Sequence, residues 1–126
     1  MLTKVLKEDV DQHFPIAWPR LQKAVERSGR ITREKLLETL KSGDCQLWVS
    51  GSLAAVTSIS KHPLKTVCLI WLCGGKGLAR AKRHLQSIEE WARSAGCDVI
   101  EIQGRAGWSR ALDGYAQTSV TLEKSL

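Results

Sequence analysis

Apolar positions along this chain change their spacing twice, and each spacing predicts a different element. Near the start, Trp18, Leu21, Ala24 and Val25 recur at steps of three and four, which marks one face of a helix. Ser28-Gly29 closes it. Pro15 and Pro19 fit the first turn of such a helix and would break its interior, so the helix is expected to begin near them. A second helix is expected from Thr32, whose hydroxyl suits an N-cap, with Ile31 and Leu36 placed as a hydrophobic staple. Leu36, Leu37 and Leu40 form its apolar side, and Gly43 supplies the stop.

The middle of the chain reads as β. Gln46-Leu47-Trp48-Val49 is a short strand, Ser50-Gly51-Ser52 a turn, and a second strand runs from Leu53 to about Ile59, giving an antiparallel hairpin. His62-Pro63-Leu64-Lys65 interrupts again. Residues 67–73 are apolar without alternation, the pattern of a strand covered on both faces and central in its sheet. After Gly74-Gly75-Lys76-Gly77, the residues Leu78, Ala81, Leu85, Ile88, Ala92 and Ala95 define the clearest amphipathic helix, with Arg80, Arg83, Ser87, Glu90 and Ser94 on its other side. Gly96 caps it, and Val99-Ile100-Glu101-Ile102 returns as a strand. Strand, helix, strand is a βαβ crossover, so these two strands should be parallel and the connection right-handed. A short helix from Trp108 to Leu112 and a last strand from Thr118 to Leu122 complete the expected domain. Its core should contain Leu69, Ile70, Leu72, Leu85, Ile88, Val99 and Ile102.

Composition narrows the class without changing this picture. A chain of 126 residues with 43% hydrophobic and 25% charged residues suits one globular domain, expected over residues 1–126, and shows no internal repeat. No apolar run reaches the ~18–20 residues that span a bilayer, and the first residues lack the apolar core of a signal peptide. No membrane association and a cytoplasmic location are expected. Cys45, Cys68, Cys73 and Cys97 show no C-x-x-C spacing and lie in or beside apolar stretches. They read as buried thiols rather than zinc ligands. His13, His62 and His84 are isolated from one another, so no metal site is expected.

Charge does change the picture. The formal net charge is +6, and Lys76, Arg80, Lys82 and Arg83 follow one another with no acidic residue between them. They crowd the turn Gly74-Gly75-Lys76-Gly77 and the positive end of the helix after it, where cations are unfavourable by ~0.3–1 kcal/mol each. A bound polyanion would reverse that penalty, because glycines allow close backbone approach and a helix start offers free N–H groups. The alternative is an ordinary glycine turn beside a solvated basic face. The turn is not a phosphate-binding Walker loop, since no Lys-Ser/Thr pair ends it, and the dinucleotide pattern G-x-G-x-x-G is absent. An acyl-CoA remains as a phosphate-bearing ligand. Nucleic-acid binding has the charge in its favour but no RNP-like aromatic strand and no helix-turn-helix pattern.

The order of helices, hairpin, central strand, glycine turn, long helix and strand resembles the GNAT acetyltransferase fold. Locally, Gly107-Trp108-Ser109-Arg110-Ala111-Leu112, then Tyr115 and Val120-Thr121-Leu122-Glu123-Lys124, is similar to that family's Phe-Tyr-x-x-Leu-Gly-Phe segment and last strand. The segment from Glu101 to Trp108 also looks like that of small phage-encoded GNAT-like proteins related to an internal virion protein of short-tailed phages. The resemblance implies a mixed sheet with an antiparallel hairpin, a central βαβ crossover and flanking helices. It implies an acetyl-CoA site at Gly75, Lys76, Gly77 and Arg80. It also implies either an N-acetyltransferase acting on an amine or a binding protein with a decayed site, partnered in a phage particle or host cell.

Two positions depart from the family. Leu72 stands where a glutamine or arginine would precede the turn, and Ser109 where many members carry a tyrosine acid. Tyr115, the sole tyrosine, could replace that acid or pack where the family has phenylalanine. Glu101 is the candidate general base, or else a carboxylate at the sheet edge paired with Arg105 or Arg110. Trp48 and Trp108 could line an acceptor pocket or pack in the core.

Overall fold

The computed structural model describes residues 2–76, 81–103, 112 and 114–126. Its first helix, α1 (Val10–Ser28), is longer than expected and holds Pro15 and Pro19 in its interior, which corrects the predicted start. Both prolines stand on the exposed face, four residues apart. The carbonyls they leave without a helical donor, on Asp11 and Pro15, therefore open toward water. The opposite face buries Val10, Phe14, Ala17, Leu21 and Val25. At about 1.5–3 kcal/mol for each large side chain, that burial outweighs a penalty of about 3 kcal/mol for each proline. Gly29 ends the helix in the left-handed region at φ 61°. Helix α2 (Arg33–Ser42) starts as predicted, with Lys35 N–H donating to Thr32 Oγ1 at 3.1 Å, and stops at Gly43 with φ 89°.

The strands are β1 (Thr3–Val5), β2 (Cys45–Val49), β3 (Leu53–Lys61), β4 (Thr66–Gly75) and β5 (Val99–Ile102). They form one sheet in the order β1-β2-β3-β4-β5. The first three junctions are antiparallel and β4–β5 is parallel, as the crossover through α3 (Ala81–Ser94) requires. Strand β1 was not expected; three residues are too few for a periodicity to register. Helices α1 and α2 cover one face, closing over Leu47, Ala54, Val56 and Leu72. Helix α3 covers the other with Leu85, Ile88 and Ala92 over Trp48, Leu53, Ala55, Cys68 and Ile70. Ser87 was expected on the polar side but is half-buried. It shares a flank of α3 with Trp91, whose ring meets Trp48 edge-on at 5.5 Å.

Of the expected core, Ile70, Leu72, Leu85 and Ile88 are buried, while Leu69 and Ile102 are half-buried. Val99 is 36% exposed, because β5 is the outermost strand among the described residues. The segment from Thr118 to Leu122 carries no strand, and Val120 and Leu122 are exposed. Its alternating side chains favour a strand, but no ladder partner among the described residues takes up its backbone. Residues 104–111, which hold most of the expected short helix, lie outside the described residues; Leu112 is buried against α3. The buried hydroxyl of Thr57 accepts from Trp48 Nε1 at 3.0 Å and donates to Gln46 Oε1 at 2.9 Å, so Trp48 is a core residue.

Candidate functional site

Strand β4 outlasts its neighbour. Its pairing with β5 runs from Val67↔Val99 to Ile70↔Ile102, and Gln103 N–H adds one last bond to the Ile70 carbonyl at 3.0 Å. Beyond that point residues 71–75 pair with β3 alone among the described residues. A bulge sits where the two strands part. Thr57 opposes Ile70 and Val56 opposes Leu72, so Trp71 is the extra residue. Trp71 and Leu72, adjacent in sequence, both pack toward α1 and α2, which strict alternation forbids. Past the bulge the main-chain groups alternate between neighbours. Lys76 N–H donates to Ser52 O at 3.1 Å, so Leu72 and Gly74 address β3 while Cys73 and Gly75 address the side that β5 has left.

The turn at the end of β4 is fixed by close packing. A Cβ on Gly74 would lie 2.0 Å from Arg20 O, and one on Gly75 2.2 Å from Ser52 O. Gly75 also has φ 117°, a conformation that side chains disfavour. Glycine is therefore required here by the protein itself, whatever a ligand adds. Ser52 holds Lys76 at both main-chain groups, accepting its N–H and donating its own Oγ–H to the Lys76 carbonyl at 3.0 Å. The Arg20 guanidinium in turn donates to the carbonyls of Ser50 (2.8 Å), Gly51 (2.9 Å) and Leu53 (3.2 Å). Lys76 leaves its side chain exposed, as does Arg83 in α3. Gly77 and Arg80 lie outside the described residues.

The two candidate catalytic residues are not brought together. Tyr115 packs on the α3 face, and its hydroxyl donates to Glu89 Oε2 at 2.6 Å. Burial, then that hydrogen bond and the Glu89 charge, push the phenol above its ordinary pKa. Glu101 is exposed in β5, between Ile100 and Ile102, which both pack toward α3. Alternation turns Glu101 to the opposite face. Trp108, Ser109, Arg105 and Arg110 lie outside the described residues. Leu72 is buried among the residues beneath α1 and α2. All four cysteines are free, Cys45 and Cys68 buried. Burial pushes the Cys68 thiol up to about 12, with Cys97 nearby adding to it. A groove of about 430 Å³ opens at the other end of the sheet, lined by Lys4, Lys7, Glu8, Cys45, Gln46 and Trp91, and shares nothing with the glycine turn.

Three features of the site escaped the sequence reading: the bulge at Trp71, the Arg20 fork and the Ser52 clasp. Bulge and fork depend on strand register and on a contact between residues thirty apart in the chain, for which local spacing carries no signal.

No family model and no curated protein matches the chain. Solved structures do. A GNAT family acetyltransferase from Staphylococcus aureus subsp. aureus USA300_TCH1516 is similar with a TM-score of 0.65 at 14% identity, covering 100% of this chain and 98% of that one. Glucosamine-6-phosphate N-acetyltransferase from Arabidopsis thaliana has a TM-score of 0.61 at 16% identity, covering 99% and 97%. Ribosomal-protein-alanine N-acetyltransferase from Brucella melitensis biovar Abortus 2308 has a TM-score of 0.64 at 9% identity, covering 98% and 99%. The chain thus has the fold of the GNAT acetyltransferases, with the mixed sheet and flanking helices expected of it.

Proposed function

We propose that this domain binds an acyl-CoA, acetyl-CoA first, along the edge of β4 that is unpaired among the described residues, with its phosphates just after β4, where Gly75, Lys76, Gly77 and Arg80 are the candidate contacts. The observation that carries this reading is the stretch 71–75, which pairs with β3 alone among the described residues and turns main-chain groups outward at Cys73 and Gly75. A pantetheine arm is extended and carries amides, so it can pair with such an edge as an added strand does. The fit is good there. Lys76 brings its exposed ammonium rather than its N–H, which Ser52 already holds. When bound, the cofactor supplies an activated acyl thioester.

The favoured reading is binding without turnover. Tyr115 directs its proton to Glu89 and holds it more tightly than a free phenol, which does not suit an acid for a leaving thiolate. The second reading is an N-acetyltransferase with Glu101 as base. It is supported by an exposed carboxylate one residue before β5 ends, close to where β4 and β5 part. On the first reading, the resemblance over residues 101–108 suggests a phage-encoded binding protein whose partner belongs to the particle or the host cytoplasm.

The test is a CoA titration of ¹⁵N-labelled protein. The amide signals of Cys73 and Gly75 should move, while those of Val67 and Cys68, in the stretch of β4 that lies between β3 and β5, should stay. Shifts centred on Lys4, Cys45 and Gln46 would place the ligand in the opposite groove and overturn the reading.

A further inference from the structure

We infer that Arg20 is the positioning residue of the proposed phosphate turn, acting through the β2–β3 loop rather than on the ligand; the inference rests on the acyl-CoA reading above. The contacts form a chain of three links. The Arg20 guanidinium gathers the carbonyls of Ser50, Gly51 and Leu53 at 2.8, 2.9 and 3.2 Å. Those carbonyls flank Ser52. Ser52 then holds both main-chain groups of Lys76, at 3.1 Å through its carbonyl and 3.0 Å through its hydroxyl. Arg20 also touches the turn from behind, since its own carbonyl is the atom that leaves no room for a Cβ on Gly74.

Only a guanidinium fits this place. Three carbonyls around one group need several donors in a fixed plane, which arginine has and lysine lacks. The half-buried cation is engaged by carbonyl dipoles and not by a carboxylate in any contact of the described residues, so its donors serve the loop. Without the fork, the loop from Ser50 to Ser52 loses its anchor on α1, and Lys76 loses a fixed partner. Lys76 should then no longer be held in one place at the end of β4.

The experiment compares two ligands, CoA and pantetheine, the latter lacking every phosphate. Affinities are measured by calorimetry on wild type, Arg20→Met, Arg20→Lys and Ser52→Ala, with thermal melts in parallel. Arg20→Met should weaken CoA by about tenfold or more, the loss that follows from ~1.4 kcal/mol, and leave pantetheine within about twofold. Arg20→Lys should restore only part of the CoA affinity, because an ammonium can hold some of the three carbonyls but has no planar fork to hold them together. If Arg20→Met binds CoA as wild type does, or loses both ligands equally, the positioning role is wrong while the acyl-CoA reading stands. If wild type binds neither ligand, the acyl-CoA reading falls and takes this role with it. Should Arg20→Met fail to fold, Ser52→Ala decides, since it removes only one clasp on Lys76. A selective loss of CoA affinity of about threefold supports the chain of contacts, and no loss overturns it.

Discussion

Replacing Gly74 by alanine tests the packing beneath the candidate site. The new Cβ would sit 2.0 Å from Arg20 O and 3.1 Å from Arg20 C, against an ordinary contact of 3.4 Å or more. Both obstacles are backbone, so neither can rotate away. Helix α1 or the end of β4 must move by more than about 1 Å, and α1 carries the buried residues Phe14, Ala17, Leu21 and Val25 with it. Overpacking of this kind costs about 1–3 kcal/mol, and rigid neighbours put Gly74→Ala at about 3 kcal/mol. For a domain of this size that is a fall in Tm of roughly 10 °C. Gly51→Ala is the control, because nothing lies within 4 Å of its Cβ position and its φ is not positive. It should stay within about 0.5 kcal/mol of wild type. Urea unfolding of the two variants in parallel reads the difference. If Gly74→Ala costs no more than Gly51→Ala, then α1 does not pack against the turn as described.

Leu85→Ala should cost about 2–5 kcal/mol in the same assay, as truncation of a side chain sealed beneath α3 does; a cost under about 0.5 kcal/mol would place α3 elsewhere. Alkaline pH should destabilise the fold through Cys68, whose thiol is pushed up to about 12 by burial. Between roughly pH 9 and 12 the unfolded chain loses a proton that the native state keeps, so stability falls as pH rises, by up to about 1.4 kcal/mol per unit for this group. Cys68→Ala should flatten that slope in urea melts at pH 9 to 11, and an unchanged slope would count against a buried thiol.

The periodic elements were legible because their cause is local. Helix α3 and the apolar strand β4 each write their burial into residue spacing, and Gly29, Gly43 and Gly96 mark helix ends by adopting positive φ. Helix α1 was misjudged at Pro15 and Pro19, where a well-buried opposite face overrides a local penalty. Thr118 to Leu122 shows the converse, strand-forming side chains with no ladder to join among the described residues. Of the site, the glycine turn was visible, but Gly74 and Gly75 answer first to Arg20 O and Ser52 O. Glu101 and Tyr115 could be picked out by type, whereas their placement on opposite faces follows from the sheet.

The occupant proposed for the turn after β4 in this GNAT-like fold is an acyl-CoA. Calorimetric titration of the folded protein with acetyl-CoA, repeated with Gly77→Val and Arg80→Glu, tests it most directly. Saturable binding to wild type is expected, competed by free CoA and weakened in both variants without loss of their melting transitions. No binding to folded wild-type protein at millimolar ligand, a Kd weaker than about 1 mM or −4 kcal/mol, would rule out an acyl-CoA at this turn.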